Sequence, residues 1–472
     1  MPVDTKHDLY SRVAGQWKVM RDCVAGEDAV KAAAEAYLPK PTGMRHDEYL
    51  AFKQRASFHD ATARTVDGLV GAVFRKPPEI DAPSTAEVLV KSVDGAGLPI
   101  EVFAGHAVRE VVTAGRYGVL ADVPVGTGTP YLAGYAAEAI INWRVERLAG
   151  RRVLTLVVLA EDAARVKAED EFEVAAVERL LVLQLVDGWY TVRRFEKVKD
   201  KFAEIDTPAM PLRRGARLDF IPFTFLGATG LAAEPERPPL LGLATSNISH
   251  YQVTADLRHT LHLTSLPTPV VAGRMHGGDT AQSELKIGSG VAWLLEEGAR
   301  WGMMEFTGAG AAAQDRMREA YKQEMAALGA RLLEDQKAGV EAAETVSLRH
   351  RGENSVLASI AATASRGLSQ ALSWAAWWGG AQPDQATIAL NSDFVERAMS
   401  PSEMVQLVAA WQNGGIGGEA LYHNLREGER LPEGWTFDDF QRDLEEHGPA
   451  GALFGPEPEP EPDEAAMAGA ME

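Results

Sequence analysis

Two long stretches of the chain place apolar residues at the period of an α-helix. From Gln314 to Glu334, Met317, Tyr321, Met325, Leu328 and Leu332 recur at spacings of four and three, one stripe along a helical face. From Ser355 to Trp378, Val356, Ile360, Ala364, Leu368, Ala371, Leu372 and Ala375 form a second stripe that ends in Trp374, Trp377 and Trp378. The connection between them, residues 335–354, is polar and charged and carries no catalytic motif. A helix, a polar connection and a long helix rich in small residues predict elements that pack beside copies of themselves. They do not predict a pocket.

The remaining periodicity divides the chain further. Residues 5–75 read as helical, with one helix over Asp47–Phe74 stopped by Lys76-Pro77-Pro78. Ile100–Ala114 is a helix that Gly115 should end. The period then changes to that of strands: Tyr117–Val123, Ile140–Arg147, Arg152–Leu159, Arg179–Leu185 and Trp189–Phe195 are short β-rich runs. Ala149-Gly150 and Asp187-Gly188 stand where hairpin turns need positive φ, so these strands should be antiparallel. After the rigid break Pro235–Pro239, Leu241, Ala244, Ile248, Tyr251 and Ala255 open a helix that runs to Leu263. A glycine-rich mixed segment follows, with strand-like Val291–Leu295 and Gly302–Phe306. Ser400-Pro401-Ser402-Glu403 is a capping box, Gly414-Gly415 closes its helix, and Glu419–Leu425 and Thr436–Glu446 complete a small helical module. The fold class read from this is α+β, mainly helical.

Composition removes several function classes. At 472 residues the chain can build a large core, and 46% hydrophobic with 24% charged residues is ordinary for a globular protein. The single cysteine, Cys23, excludes an intrachain disulfide framework and a multi-cysteine zinc site. No apolar run reaches the roughly 18 residues of a membrane span, and Met1–Val13 has no signal-peptide core, so a protein that is cytosolic when made, without a membrane role, is expected. A net charge of −20 opposes tight nucleic-acid binding. Six of those charges lie beyond Pro456 in a Pro-Glu tail expected to be disordered, which leaves −14 on the rest.

Candidate chemistry is sparse. Gly308-Ala-Gly310-Ala-Ala-Ala313 follows a strand-like run and opens a helix, as a dinucleotide-binding turn would, but no repeating βαβ pattern surrounds it. His259 and His262 share a helix with His250 and Asp256, without a facing Glu-x-x-His, and a partly solvated helix face accounts for them. Cys23 reads as packed rather than nucleophilic. An enzyme that depends on a nucleotide or a metal through Gly308–Ala313 or His259/His262 is the alternative reading. The leading expectation is a protein with no catalytic residue and no cofactor.

Five runs together resemble a family. Ala56-Ser-Phe-His-Asp-Ala-Thr-Ala-Arg-Thr-Val-Asp-Gly-Leu-Val-Gly71, Ala255–Pro269, Gly352–Ile360, Ile388–Phe394 and Leu407–Gly414 are similar, in this order, to a branch of tailed-bacteriophage portal proteins long catalogued only as a domain of unknown function. The resemblance runs from about residue 30 to 447. It implies a phage portal fold with wing, stem, clip and crown: 1–235 an N-terminal wing of helices and antiparallel strands, 236–266 a first stem helix, 267–310 the clip, 311–334 a second stem helix, 335–354 a tunnel loop, 355–380 a long wing helix, 381–450 a helical crown and 451–472 the acidic tail.

The resemblance also implies a role. Twelve subunits would form a ring at one capsid vertex of the virion, the channel for packaging and ejection of double-stranded DNA. Its partners would be the terminase large subunit, the major capsid and scaffolding proteins and a head-tail adaptor. Lys337, Glu341, Glu344, Arg349, His350 and Arg351 are the DNA-facing candidates of the tunnel loop; Arg274, Lys286 and Arg300 are the terminase-facing candidates of the clip. Twelve copies at −20 carry about −240, an acidic wall that repels a polyanion and lets it slide. The few bases of the loop would make transient phosphate contacts that salt weakens. No ATPase motif is present, so a partner must supply the energy. Small residues at Ala326, Ala327, Gly329 and Ala330 would let neighbouring subunits approach closely.

Overall fold

The computed structural model describes residues 2–123, 128–167, 170–264, 268–272, 298, 300–304, 308–329, 343–382, 385–392, 394, 401–428, 430–432 and 434–447. The chain divides into two compact units, Met1–Phe394 and Val395–Glu472. The first opens with α1 (Asp8–Ala25), α2 (Glu27–Ala32), α3 (His46–Arg55) and α4 (Ala61–Val73), then β1 (Glu79–Asp81), α5 (Glu87–Lys91) and α6 (Ile100–Ala114). Strands β2 (Arg116–Asp122), β3 (Tyr131–Ala136), β4 (Ile140–Leu148), β5 (Arg151–Lys167), β6 (Asp170–Val186), β7 (Trp189–Val198) and β8 (Lys201–Glu204) follow, with the short β9 (Leu212–Arg213) and β10 (Ala216–Arg217) and then β11 (Phe223–Gly227). The unit ends with α7 (Leu241–Thr264), β12 (Thr268–Ala272), β13 (Arg300–Met304), α8 (Ala309–Ala327), α9 (Ala343–Trp378) and β14 (Thr387–Ala389). The second unit holds α10 (Pro401–Gln412), α11 (Gly418–Glu427) and α12 (Phe437–His447) around Leu421, Tyr422 and Phe440. Helices and strands are thus mixed in the first unit, as the α+β reading requires.

All named sheets are antiparallel among the described residues. The largest runs β4-β5-β6-β7-β8, and a second runs β11-β2-β3. The expected hairpin turns hold their strained geometry: Ala149 and Gly150 have φ of 47° and 82°, Asp187 and Gly188 of 52° and 81°. Gly115 ends α6 at φ 70°, and a Cβ there would also stand 3.1 Å from the Arg237 carbonyl oxygen, so glycine is required twice over.

Four expectations need correction. The helix expected over Asp47–Phe74 breaks at 56–60, because α7 claims that backbone: buried Asn247 donates from Nδ2 to the His59 carbonyl at 2.8 Å, and its Oδ1 accepts from Thr62 N and Oγ1. The hairpin of β5 and β6 extends well beyond Leu159 and Arg179. Its distal residues (Ala-Glu-Asp-Ala-Ala-Arg and Glu-Val-Ala-Ala-Val-Glu) have helix-forming composition, but cross-strand pairs such as Glu161 with Arg179 hold them as strand. The long helix begins at Ala343 rather than Ser355, since nothing from Ala343 to Asn354 is a proline and Glu344 suits a helix's first turn. Finally, the boundary expected at 380 moves to Phe394, because Thr387–Ala389 pairs with β1.

That last segment is laced to α9 by three serines spaced four apart. Ser373 Oγ donates to the Ala386 carbonyl at 2.7 Å, Ser369 Oγ accepts from Ile388 N at 2.9 Å, and Ser365 Oγ accepts from Leu390 N at 2.9 Å. The adjacent face of α9 buries Leu357, Ile360, Ala364, Leu368, Leu372 and Ala375 in a core shared with α1, α4 and α6. Val356, expected in this stripe, is exposed and Leu357 takes its place, the slip of one position that a 3.6-residue period produces at a stripe's end. The second core lies on the strands, where Trp17 donates to the Ala114 carbonyl at 2.9 Å. Arg116 is buried there, its guanidinium 3.9 Å from the Trp143 ring centroid and donating to the Ala233 carbonyl at 2.8 Å. Burial lowers its pKa to about 9, opposed by Glu234, so it remains a cation at neutral pH.

Arg21 on α1 ties the two cores. It donates to both Glu110 oxygens at 2.7 and 2.6 Å and to both Glu138 oxygens at 2.9 Å. Burial pushes the Glu138 carboxyl up, and the Arg21 hydrogen bonds outweigh it, so its pKa falls below the ordinary 4.5. A lowered carboxyl contributes stability above its unfolded pKa and loses it as pH falls through the folded value. Arg21→Gln should therefore cost about 2 kcal/mol at neutral pH, discounted for partial exposure. In urea denaturation the gap to wild type should narrow as pH is lowered from about 6 to about 3.5. A pH-independent gap would refute the assignment.

Candidate functional site

The feature that departs most from an ordinary domain is the pair α7 and α8. Leu243 packs with Met325 near the α7 start and the α8 end, while Leu257 and Leu261 lie across from Arg318 further along, so the two helices run antiparallel. Beyond them β12 and β13 pair as a two-stranded ribbon, Thr268 opposite Met304 and Ala272 opposite Arg300. The first turns of α7 are buried through Leu243, Ala244, Asn247, Tyr251 and Ala255. From Arg258 to the helix end little is covered.

Helix α8 behaves unlike the rest of the unit. Of its 19 residues only Met325 and Ala326 are buried. The stripe expected to be an interior face is mostly not one: Met317 is 52% exposed, Tyr321 is half-buried, and Leu328, past the helix end, is exposed. Leu263 of α7 is 60% exposed and Trp301 of β13 is 67% exposed. Val270 is exposed as well; because it pairs with Gly302 and not with Trp301, the apolar side chains emerge on both faces of the ribbon. A two-stranded ribbon and an almost uncovered helix are marginal alone. Exposed apolar side chains on such elements make this region the candidate contact surface.

The residues singled out from the sequence fall as follows. Lys337, Glu341, Arg274, Lys286, Ala330, Leu332, the run Val291–Leu295 and the acidic tail lie outside the described residues. Glu344, Arg349, His350 and Arg351 belong to the opening turns of α9, a correction to the loop expected over 335–354. Arg300 is exposed at the start of β13. Gly308 caps α8 at φ 75°, and among the described residues the strand before it pairs with antiparallel β12 and not with the parallel strands of a dinucleotide site.

The histidines of α7 separate. His250 is buried rather than partly solvated, as expected earlier, because α8 covers it; His262 is exposed, and His259 lies against Phe52 with Arg55 Nη2 3.2 Å from its Nδ1. A separation of nine residues puts His250 and His259 on opposite sides of the helix. Among the described residues no group of three or more His, Cys, Asp or Glu could hold a metal ion, and no helix is long and apolar enough to cross a membrane. Cys23 is buried, and burial, with Asp22 adding to it, pushes its thiol up to about 12, unfit for a thiolate nucleophile. Periodicity did not reveal Asn247, which locks the α4 start to α7; a lone Asn in an apolar stripe was the available signal.

Residues 239–379 match a family described as a domain of unknown function, DUF4055. The match spans α7, the ribbon, α8 and α9. No curated protein matches the chain. Among solved structures, the chain is similar to one from the virion of a native gene transfer agent particle, at 15% identity and a TM-score of 0.40, covering 82% of this chain and 94% of that one. It is also similar to one from the neck of an empty gene transfer agent particle computed with C6 symmetry, at 15% identity and a TM-score of 0.40, with 80% and 91% covered. A third, from the neck of the native particle computed with C12 symmetry, aligns at 15% identity and a TM-score of 0.37, with 82% and 94% covered.

Proposed function

We propose that this chain is the subunit of a ring-shaped portal in a tailed-phage-type particle, a structural conduit for double-stranded DNA and a docking platform without catalytic residues of its own. One observation carries the reading. Helix α8 and the end of α7 leave their apolar side chains uncovered within the chain, as the staves of a barrel must before they meet their neighbours. The ordered resemblance of five runs to portal proteins supports it. So does the position of the family match, which falls on the stretch that this resemblance assigns to stem, clip, tunnel loop and long helix.

In this role α7 and α8 stand side by side with the same helices of adjacent subunits around the channel. The ribbon and its connection face terminase during packaging and the head-tail adaptor afterwards. Contacts with the major capsid and scaffolding proteins fall to the outer part of the first unit, and the α10–α12 module forms the crown. The acidic wall keeps DNA from adhering, and Lys337 and Arg349–Arg351 touch it only in passing.

The mass of the purified full-length protein tests the proposal. Light scattering should give about twelve times the 51.0 kDa of one subunit, with closed rings in negative stain. A monomer at every concentration would sink it. Stoichiometric binding of a dinucleotide or a metal ion by that monomer would favour the enzyme reading instead.

A further inference from the structure

The α7–α8 pair and the loop before α4 enclose a cleft of about 490 Å³. On the α7 wall His250, Thr254 and Arg258 stand four residues apart in one row. Arg318 and Lys322 form the facing row on α8, also four apart. Phe58 and Leu257 supply an apolar floor. His59 completes the wall, its ring 5.9 Å from that of His250.

Two polar atoms of this wall are buried without a hydrogen-bond partner, His250 Nδ1 and Thr254 Oγ1. Their residues are 8% and 5% exposed, so both are interior groups with unused bonding capacity on the edge of a cavity. The charge balance is equally unfinished. Arg258, Arg318 and Lys322 share the cleft with a single carboxylate, Glu319, which stands 3.9 Å from Lys322, beyond hydrogen-bond reach. Arg318 holds Asp315 at 2.8 Å, and Arg258 donates one of its N–H groups to the Arg55 carbonyl at 2.9 Å. Each guanidinium keeps further donors. A locally cationic, donor-rich cleft on a chain of −20 selects for an acceptor-rich anion.

We propose that the cleft between the His250–Thr254–Arg258 row and the Arg318–Lys322 row is a binding site for a phosphoryl oxyanion. Arg258, Arg318 and Lys322 donate to its oxygens, the Thr254 hydroxyl donates a further hydrogen bond, and His250 supplies a ring N–H. The volume exceeds that of one phosphate group, so the anion is either free phosphate or a phosphodiester of a nucleic-acid backbone. The site needs only the loop before α4 together with α7 and α8 of one subunit and does not rest on ring assembly.

Binding should be linked to protons. Burial holds His250 down at about 4, and His59, Arg318 and Lys322 oppose its charging; His59 is lowered by burial first and by Arg64 and Lys322, with Asp60 opposing. An arriving phosphate monoanion offsets those cations and favours the imidazolium, so affinity rises as pH falls from about 6 toward the free His250 value, a range in which the anion keeps one charge.

Calorimetry of the full-length protein with inorganic phosphate, at constant ionic strength set with chloride, tests this. Binding is expected below about 10 mM phosphate. It should weaken at least tenfold in Lys322→Gln and in Arg318→Gln and strengthen between about pH 6 and about pH 4.5. A second arm titrates a duplex of about 20 base pairs. Loss of duplex binding in the same variants assigns the site to a phosphodiester, and unchanged duplex binding assigns it to free phosphate. Because both substituted side chains are substantially exposed, the variants should fold, which circular dichroism checks. No heat of binding up to about 10 mM phosphate, with none for the duplex, overturns the proposal, as does binding that the variants leave unchanged.

Discussion

Protein carrying Leu263→Glu and Met317→Glu together is expected to remain a folded single subunit where the unaltered chain assembles. Both side chains are mostly exposed on the subunit, so the substitutions remove nothing from its own core. In an assembly that covers them, each lost contact forfeits about 1.5–3 kcal/mol of apolar burial. The introduced carboxylates then add the cost of desolvating a charge without a partner. At about 1.4 kcal/mol per factor of ten, one subunit contact weakens by about a hundredfold to ten-thousandfold. Closure of a ring repeats this loss at each contact. Size-exclusion chromatography with light scattering reads the outcome, and an unchanged melting temperature of the isolated subunit separates lost assembly from lost folding. Rings that persist in the double variant would mean that α7 and α8 are not the contact.

Gly367→Leu should do the reverse and damage the subunit itself. Gly367 lies in the middle of α9, where helix propensity alone would favour alanine. A Cβ there would collide with Leu226 Cδ2 of β11 and reach within 3.0 Å of Leu231 Cδ2. The glycine lets the helix lie directly on the β11-β2-β3 sheet, and a leucine must push it away from a core that is already filled. Overpacking of this kind costs about 1–3 kcal/mol for extra methylenes, and a whole leucine should reach or exceed the upper value. Gly367→Ala should fall between the two, with partial relief by rotation of Leu226. Thermal melting of both variants measures this order. A Gly367→Ala protein more stable than the original would show that propensity outweighs the close approach.

Much of the architecture was legible because its causes are local. Ile100–Ala114 matched its helix residue for residue, since the apolar stripe and a glycine able to take positive φ sit side by side in the sequence. The same holds for the turns at Ala149-Gly150 and Asp187-Gly188. The ladder Ser365-Ser369-Ser373 is equally local: small hydroxyls every four residues on one helix face suit an extended partner for their hydrogen bonds. The candidate site was legible only as a pair of helices around a mixed segment. Which of their faces lacked cover was not, because the Met317–Tyr321–Met325 stripe has the spacing of a buried face whichever chain covers it.

The sequence by itself determined the period of each element, the sites of its turns, the acidity of the chain and which familiar catalytic motifs it does not spell. Each of these is a property of residues within one helical turn or one hairpin of each other. Only the tertiary structure decided that the helix expected over Asp47–Phe74 breaks at 56–60, that β5 and β6 outrun their helix-forming composition, that His250 is interior while His262 is not, and that α8 stands almost uncovered. Those outcomes depend on partners such as Asn247, Arg179 and Met325, brought together across the fold or along a paired strand. The free energy of such contacts appears only when distant segments are desolvated against each other.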